Sequence, residues 1–127
     1  MKLVVDTNVV FSLFNKKSFT YELLTSKRLS LFAPEILKTE LDKYKSEITK
    51  KFGKSTVNLE EYITLVAEKE YVHMLKKAQQ ICPDPDDLDF FALALTLNIP
   101  LWSLDKQLQK QDTVPVITTF ELAEALI

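Results

Sequence analysis

Lys2 Leu3 Val4 Val5 Asp6 Thr7 Asn8 is a short apolar, β-branched run that stops on a carboxylate. Three apolar residues in succession, with no polar alternation, suit a strand covered on both faces, and such strands belong to parallel sheets with helices above and below. The same grammar returns at Leu101 Trp102 Ser103 Leu104 Asp105, where another apolar run is followed at once by an acid. In open α/β sheets ligands bind outside the carboxyl ends of strands, where the strand order reverses. If these two strands are neighbours, Asp6 and Asp105 project into one crevice.

The stretches between them read as alternating strands and helices. Residues 9–26 read as a helix in two pieces, broken near Asn15 to Ser18, and residues 29–32 as a second strand. Pro34 suits the first position of a helix, and Leu37, Leu41, Tyr44, Ile48 and Phe52 then recur at helical spacing up to Gly53, the only glycine. Asn58 with Glu61 has the form of a capping box, and Leu59, Tyr62, Ile63 and Val66 form the apolar stripe of a further helix. Tyr71 and Val72 read as a short strand and 73–81 as a helix. Residues 88–97 predict a largely buried helix closed by Asn98 and Pro100. Residues 101–103 and 114–117 predict strands, Leu108 a short helix between them, and 120–126 a terminal helix. Strands separated by helices imply parallel pairing and right-handed crossovers, hence a three-layer α/β/α sandwich around a central parallel sheet. One domain spanning 1–127 is expected, a length that buries about two-thirds of the unfolded surface.

The bulk properties narrow the function. With 46% hydrophobic and 27% charged residues the composition is that of a globular protein. No run approaches a membrane span or a secretory core, so the expected location is the cytoplasm and no membrane partner is expected. Cys82 is the only cysteine, which excludes a disulfide scaffold and a cysteine-rich zinc site. A single glycine leaves no glycine-lined cradle for a dinucleotide or nucleoside triphosphate. The net charge of −2 argues against holding nucleic acid by bulk positive charge, yet a bound divalent cation can recruit phosphate to an acidic pocket.

The acids are placed for that. Asp84, Asp86, Asp87 and Asp89 fall within six residues, directly before the apolar helix from Phe90. Like charges at a helix mouth repel, by several kcal/mol at reduced dielectric on a Coulomb estimate of about 332/(εr). A hard cation removes that cost, and oxygen-only ligation selects Mg²⁺ or Mn²⁺. With water held beside a phosphodiester, the accessible reaction is in-line hydrolysis. Asp6, Asp87 and Asp105 also stand where helices begin, and a helix N-cap is the competing role for each. Glu40, midway along a helix, reads by pattern as a solvated acid lying beside the core stripe.

Asp6 Thr7 Asn8 Val9, then Pro34 Glu35 with Glu40 Leu41, then Asp84 Pro85 Asp86 Asp87 with Phe91 Ala92 Leu93 Ala94 Leu95, and finally Trp102 Ser103 Leu104 Asp105 Lys106 together resemble a PIN domain. The order and spacing agree across nearly the whole chain. The resemblance implies a metal-dependent ribonuclease whose catalytic and metal-binding acids are Asp6, Glu40, Asp87 and Asp105, on a parallel sheet ordered 3-2-1-4-5. It implies that Asn8 and Ser103 orient carboxylates or water from behind, and Asp86 and Asp89 are placed with them. Ile99 to Asp105 resembles a prokaryotic PIN subgroup more than the typical toxin form related to VapC, which carries Thr where Ser103 stands. The expected cofactor is Mg²⁺ or Mn²⁺, the expected substrate RNA, and an antitoxin protein and a homodimer are compatible partners.

The remaining residues are weaker signals. His73 is the only histidine, so a histidine-dependent triad or zinc site would rest on it alone. Lys38, Lys43, Lys45, Lys50, Lys51 and Lys54, interleaved with acids, form a solvated face in which Lys43, together with Lys106, is the candidate RNA contact. Phe11, Phe14, Phe19, Phe90 and Phe91 suit a core or interface better than a base-stacking platform. The rival to a cleaving enzyme is a PIN-like scaffold that binds RNA or protein without cleaving. A receiver domain would need a phosphoacceptor Asp ending its third strand and a later Lys, and neither is apparent.

Overall fold

β1 (Lys2–Val5) runs through the middle of a five-stranded parallel sheet in the computed structural model, which describes residues 1–53 and 57–127. With β2 (Ser30–Pro34), β3 (Ile63–Val66), β4 (Leu101–Trp102) and β5 (Val116–Ile117) the order is β3-β2-β1-β4-β5, as the resemblance implies. Leu3, Val4 and Val5 are all 0% exposed. Since successive side chains of a strand point to opposite faces, both faces of β1 are covered by helices. Leu3 pairs with Leu31 on one side and Val5 with Trp102 on the other. The ladder to β4 continues one step past the strand, with the Asp6 N–H donating to the Trp102 carbonyl at 3.0 Å.

The chain turns straight from β1 into α1 (Thr7–Val10) and a 3₁₀ turn, Phe11–Phe14, before α2 (Phe19–Leu24), which is capped by Ser18. α3 (Ile36–Lys43) and α4 (Lys45–Phe52) follow β2, α5 (Leu75–Ile81) and α6 (Leu88–Leu97) precede β4, and α7 (Thr119–Ala125) follows β5. α6 packs across β1, β2 and β4, with Phe90, Phe91, Ala92, Leu93 and Ala94 all buried. Its two phenylalanines contribute about 1.5–3 kcal/mol each by burial. The helix ends where Asn98 adopts the left-handed conformation, φ 54°, the geometry expected of an Asn at that position. Trp102, fully buried in β4, donates its indole N–H to the Thr119 hydroxyl at 3.0 Å and so ties α7 to the sheet.

Five expectations are corrected. The third strand is Ile63–Val66, not Tyr71 and Val72, which fall at two successive 3₁₀ turns. Leu59, Tyr62, Ile63 and Val66 match helical spacing, but the segment pairs with β2 through Leu31↔Ile63 to Pro34↔Val66. Asn58 leads only a 3₁₀ turn and makes no side-chain cap bond. Pro34 closes β2 instead of opening a helix, and the long helix breaks at Tyr44 into α3 and α4. The terminal helix, by contrast, carries a complete capping box, Thr118 with Glu121. Lys54 lies outside the described residues.

Candidate active site

Asp6 leaves β1 where the strand ends and α1 begins, and it is 4% exposed. Its two carboxylate oxygens are held separately. One accepts from the Thr7 backbone N–H at 2.7 Å and the other from the Ser103 hydroxyl at 2.7 Å. Burial holds the carboxyl above the usual carboxylate range against these two hydrogen bonds, and the charges of Asp105 and Asp84 push the same way. Ser103, itself 0% exposed, also accepts from the Asp105 backbone N–H at 3.0 Å. One hydroxyl therefore joins the segment after β4 to the acid after β1.

Asp105 caps the 3₁₀ turn Lys106–Lys110, accepting from the Gln107 N–H at 2.9 Å. Its capping role is thus real, and it coexists with a place on the cleft wall. Asn8 steadies the same segment by accepting from the Leu104 N–H at 3.3 Å. Glu40 enters from α3 and accepts a short hydrogen bond from the Thr7 hydroxyl. Burial raises its carboxyl, with the Asp6 and Asp86 charges adding, while the Thr7 bond and Lys43 oppose.

Asp87 begins α6 and makes no side-chain cap bond there. Burial, followed by the charges of Asp6, Asp84, Asp105 and Glu40, pushes its carboxyl up to about 7. Four other acids thus act on it. Asp84 uses its own carboxylate to accept from the Asp86 N–H at 3.0 Å, capping the turn Pro85–Asp87. Asp89 accepts a short hydrogen bond from the hydroxyl of Tyr71, a 1% exposed residue, and that bond together with burial raises the phenol.

Asp6, Glu40, Asp84, Asp86, Asp87, Asp89 and Asp105 all line one cleft of about 560 Å³. Among the described residues Lys43 is the only basic side chain on its wall. Lys106 is not brought there; it lines a separate hollow with Leu104 and Phe120. Among the described residues no three carboxylates converge closely enough to grip a metal ion as they stand. The donor chemistry nevertheless fits a hard cation: oxygen ligands only, seven acids against one lysine, and a carboxyl pushed up to about 7 by burial and by four acidic neighbours.

The sequence model of the PIN domain family matches residues 4–126. The chain belongs to the PIN domain family. Among solved structures this PIN domain is similar to a chain of VapBC2 from Rickettsia felis, a crystal structure with a DNA fragment from their promoter bound. The TM-score is 0.67 at 17% identity, covering 93% of this chain and 98% of that one, a likeness of fold. No curated protein sequence matches at a comparable level. The cleft of this PIN domain lies at the carboxyl ends of β1 and β4, where connections leave the sheet in opposite directions.

Sequence reasoning passed over Thr7. Its backbone N–H holds Asp6 and its hydroxyl holds Glu40, so one residue couples acids 34 positions apart in the chain. The available signal was its place between Asp6 and Asn8. Tyr71 is likewise not marked by the pattern, which reads it as a strand residue.

Proposed function

We propose that this PIN domain is an Mg²⁺- or Mn²⁺-dependent endoribonuclease that hydrolyses RNA phosphodiester bonds, with Asp6, Glu40, Asp87 and Asp105 as the acids that hold the cation. The observation that carries it is a single cleft lined by Asp6, Glu40 and Asp87, each delivered by a different element and each with its carboxyl raised by burial and by acidic neighbours. Such a cleft stores repulsion that a divalent cation relieves. When bound, the cation supplies a water of lowered pKa and charge for the leaving oxygen.

The chain's own residues prepare the acids for this task. Ser103 and the Thr7 N–H fix both oxygens of Asp6, so its orientation is set before any ligand arrives. The Thr7 hydroxyl fixes Glu40 relative to Asp6. Asn8 and Ser103 anchor the loop that carries Asp105. Asp87, free of a cap bond, is left to face the cleft. Asp86 and Asp89 contribute charge from the margin, and Lys43 is the residue placed to meet a phosphate.

The setting we propose is that of a toxin restrained by an antitoxin protein in the cytoplasm, and its support is the fold shared with a chain of the VapBC2 complex. A pool of mixed RNA incubated with and without Mn²⁺ tests the activity, with the Asp6→Asn protein as control. Cleavage that requires Mn²⁺, stops with EDTA and is lost in Asp6→Asn is expected. Retained cleavage by purified Asp6→Asn protein would sink the four-acid site, whereas no cleavage by the protein carrying Asp6 would leave the non-cleaving scaffold, tested by RNA binding alone.

A further inference from the structure

The break between α3 and α4 falls at Tyr44, where φ −103° and ψ 10° interrupt the helix with neither glycine nor proline to cause it. The interruption sets two side chains at the cleft wall in succession, Lys43 and Tyr44. Tyr44 is a large ring left 43% exposed, although the pattern of the sequence places it on the buried stripe with Leu37, Leu41 and Ile48. Phe11, on the turn after α1, meets it edge to face, with centroids 5.6 Å apart and planes at 88°. Whichever ring supplies the edge, Phe11 leaves at least one face of Tyr44 uncovered. Ile36, 41% exposed, completes an apolar stretch on the same cleft wall as Glu40.

An aromatic face, an apolar neighbour and one cation beside a row of acids are the parts of a nucleotide subsite. Bases stack on aromatic rings whatever their identity, and only an unpaired base exposes its face to do so. The lysine next to it in the chain meets a phosphate as a point charge. We propose that Tyr44 is the stacking platform for a base of single-stranded RNA next to the scissile phosphate, with Lys43 on the adjoining phosphate. This rests on the nuclease function proposed above and adds to it a residue that positions the substrate beside the acids, with little preference for sequence at the stacked position. The packing of Tyr44 against Phe11 holds the ring in place before binding, so less freedom is lost when a base arrives.

The test separates binding from cleavage. In the Asp6→Asn background, titration of a fluorescent single-stranded RNA oligonucleotide and of its duplex in Mg²⁺ measures affinity. Single strand tighter than duplex is expected, with Tyr44→Ala weakening single-strand binding by about ten- to hundredfold. Tyr44→Phe, which keeps the ring, should restore it, and an abasic oligonucleotide should bind wild-type ring and Tyr44→Ala alike. In the cleaving protein Tyr44→Ala should raise KM more than it lowers kcat. Equal single-strand affinity for Tyr44→Ala and Tyr44, or preference for duplex, overturns the proposal, as does loss of self-association in Tyr44→Ala with RNA binding intact, which would make the ring a protein contact. Tyr44-dependent binding without any cleavage by the protein carrying Asp6 would instead retain the platform and remove the nuclease.

Discussion

The Ser103 hydroxyl donates to Asp6 at 2.7 Å across 97 positions of sequence, while the same oxygen accepts from the Asp105 N–H at 3.0 Å. Two acids that follow neighbouring strands are thereby set relative to each other by one side chain at 0% exposure. Ser103→Ala leaves a buried carboxylate oxygen and a backbone N–H without their partner. An unsatisfied buried polar group costs about 1–3 kcal/mol. Urea unfolding should show that loss, and cleavage should fall further than the stability change explains, because Asp6 is no longer oriented. Unchanged cation affinity in Ser103→Ala, measured by calorimetry, would show the bridge to be structural only.

Thr7→Val tests the coupling of Asp6 to Glu40. The substitution keeps the backbone N–H that holds Asp6 and removes the hydroxyl that holds Glu40. Because that hydroxyl opposes the upward shift of Glu40, its loss raises the carboxyl further. Cleavage should drop about tenfold, and the acid limb of the pH–rate profile should lie at higher pH than in the wild type. A pH–rate profile identical in shape to that of the wild type contradicts the coupling.

Much of this arrangement is legible in the residues. The run Leu3 Val4 Val5 and the acid after it identify the central strand and one cleft wall, because complete burial on both faces leaves only apolar residues until the strand emerges. The third strand is not legible by periodicity. Leu59, Tyr62, Ile63 and Val66 satisfy helical spacing, and an edge strand with exposed Thr64 lacks the continuous apolar run that marks β1. The break at Tyr44 has no glycine or proline to announce it. Glu40 is seen by pattern only as an acid beside the core stripe; its place opposite Asp6 depends on how α3 leaves β2, a tertiary fact that enters the sequence only through resemblance.

The Tyr71 hydroxyl donates to one carboxylate oxygen of Asp89, which sets Asp89 apart from the four acids proposed to hold the cation. Asp89→Asn should therefore retain most cleavage, whereas Asp87→Asn, two residues earlier at the mouth of α6, should abolish it. Tyr71→Phe should cost about 1.5–3 kcal/mol, the range for a hydrogen bond to a charged group, and leave the metal requirement as it was. Loss of cleavage in Asp89→Asn equal to that in Asp87→Asn would move Asp89 into the ligand set.

Asp87, Asp6 and Glu40 all have carboxyls raised in the folded chain, and this fixes the sign of the pH dependence without cation. An unfolded carboxyl titrates near about 4, and Asp87 in the fold at about 7. Between those values the folded chain binds more protons than the unfolded one, so their contribution to stability is greatest below about pH 4 and declines as pH rises toward about 7. The melting temperature of protein kept in EDTA should consequently fall from about pH 5 to about pH 8. Excess Mg²⁺ or Mn²⁺ competes with those protons and binds only the folded cleft, so it should flatten or reverse the slope by mass action. Asp87→Asn should raise the melting temperature in EDTA at about pH 8 by a few degrees, because it removes the acid that bears the repulsion of the other four. The same variant should lose most of the Mg²⁺ stabilisation. Differential scanning fluorimetry across pH, with EDTA and with Mg²⁺, measures all of these quantities. A melting temperature in EDTA that climbs through this range, or Mg²⁺ stabilisation equal in Asp87→Asn and wild type, would place the cation elsewhere.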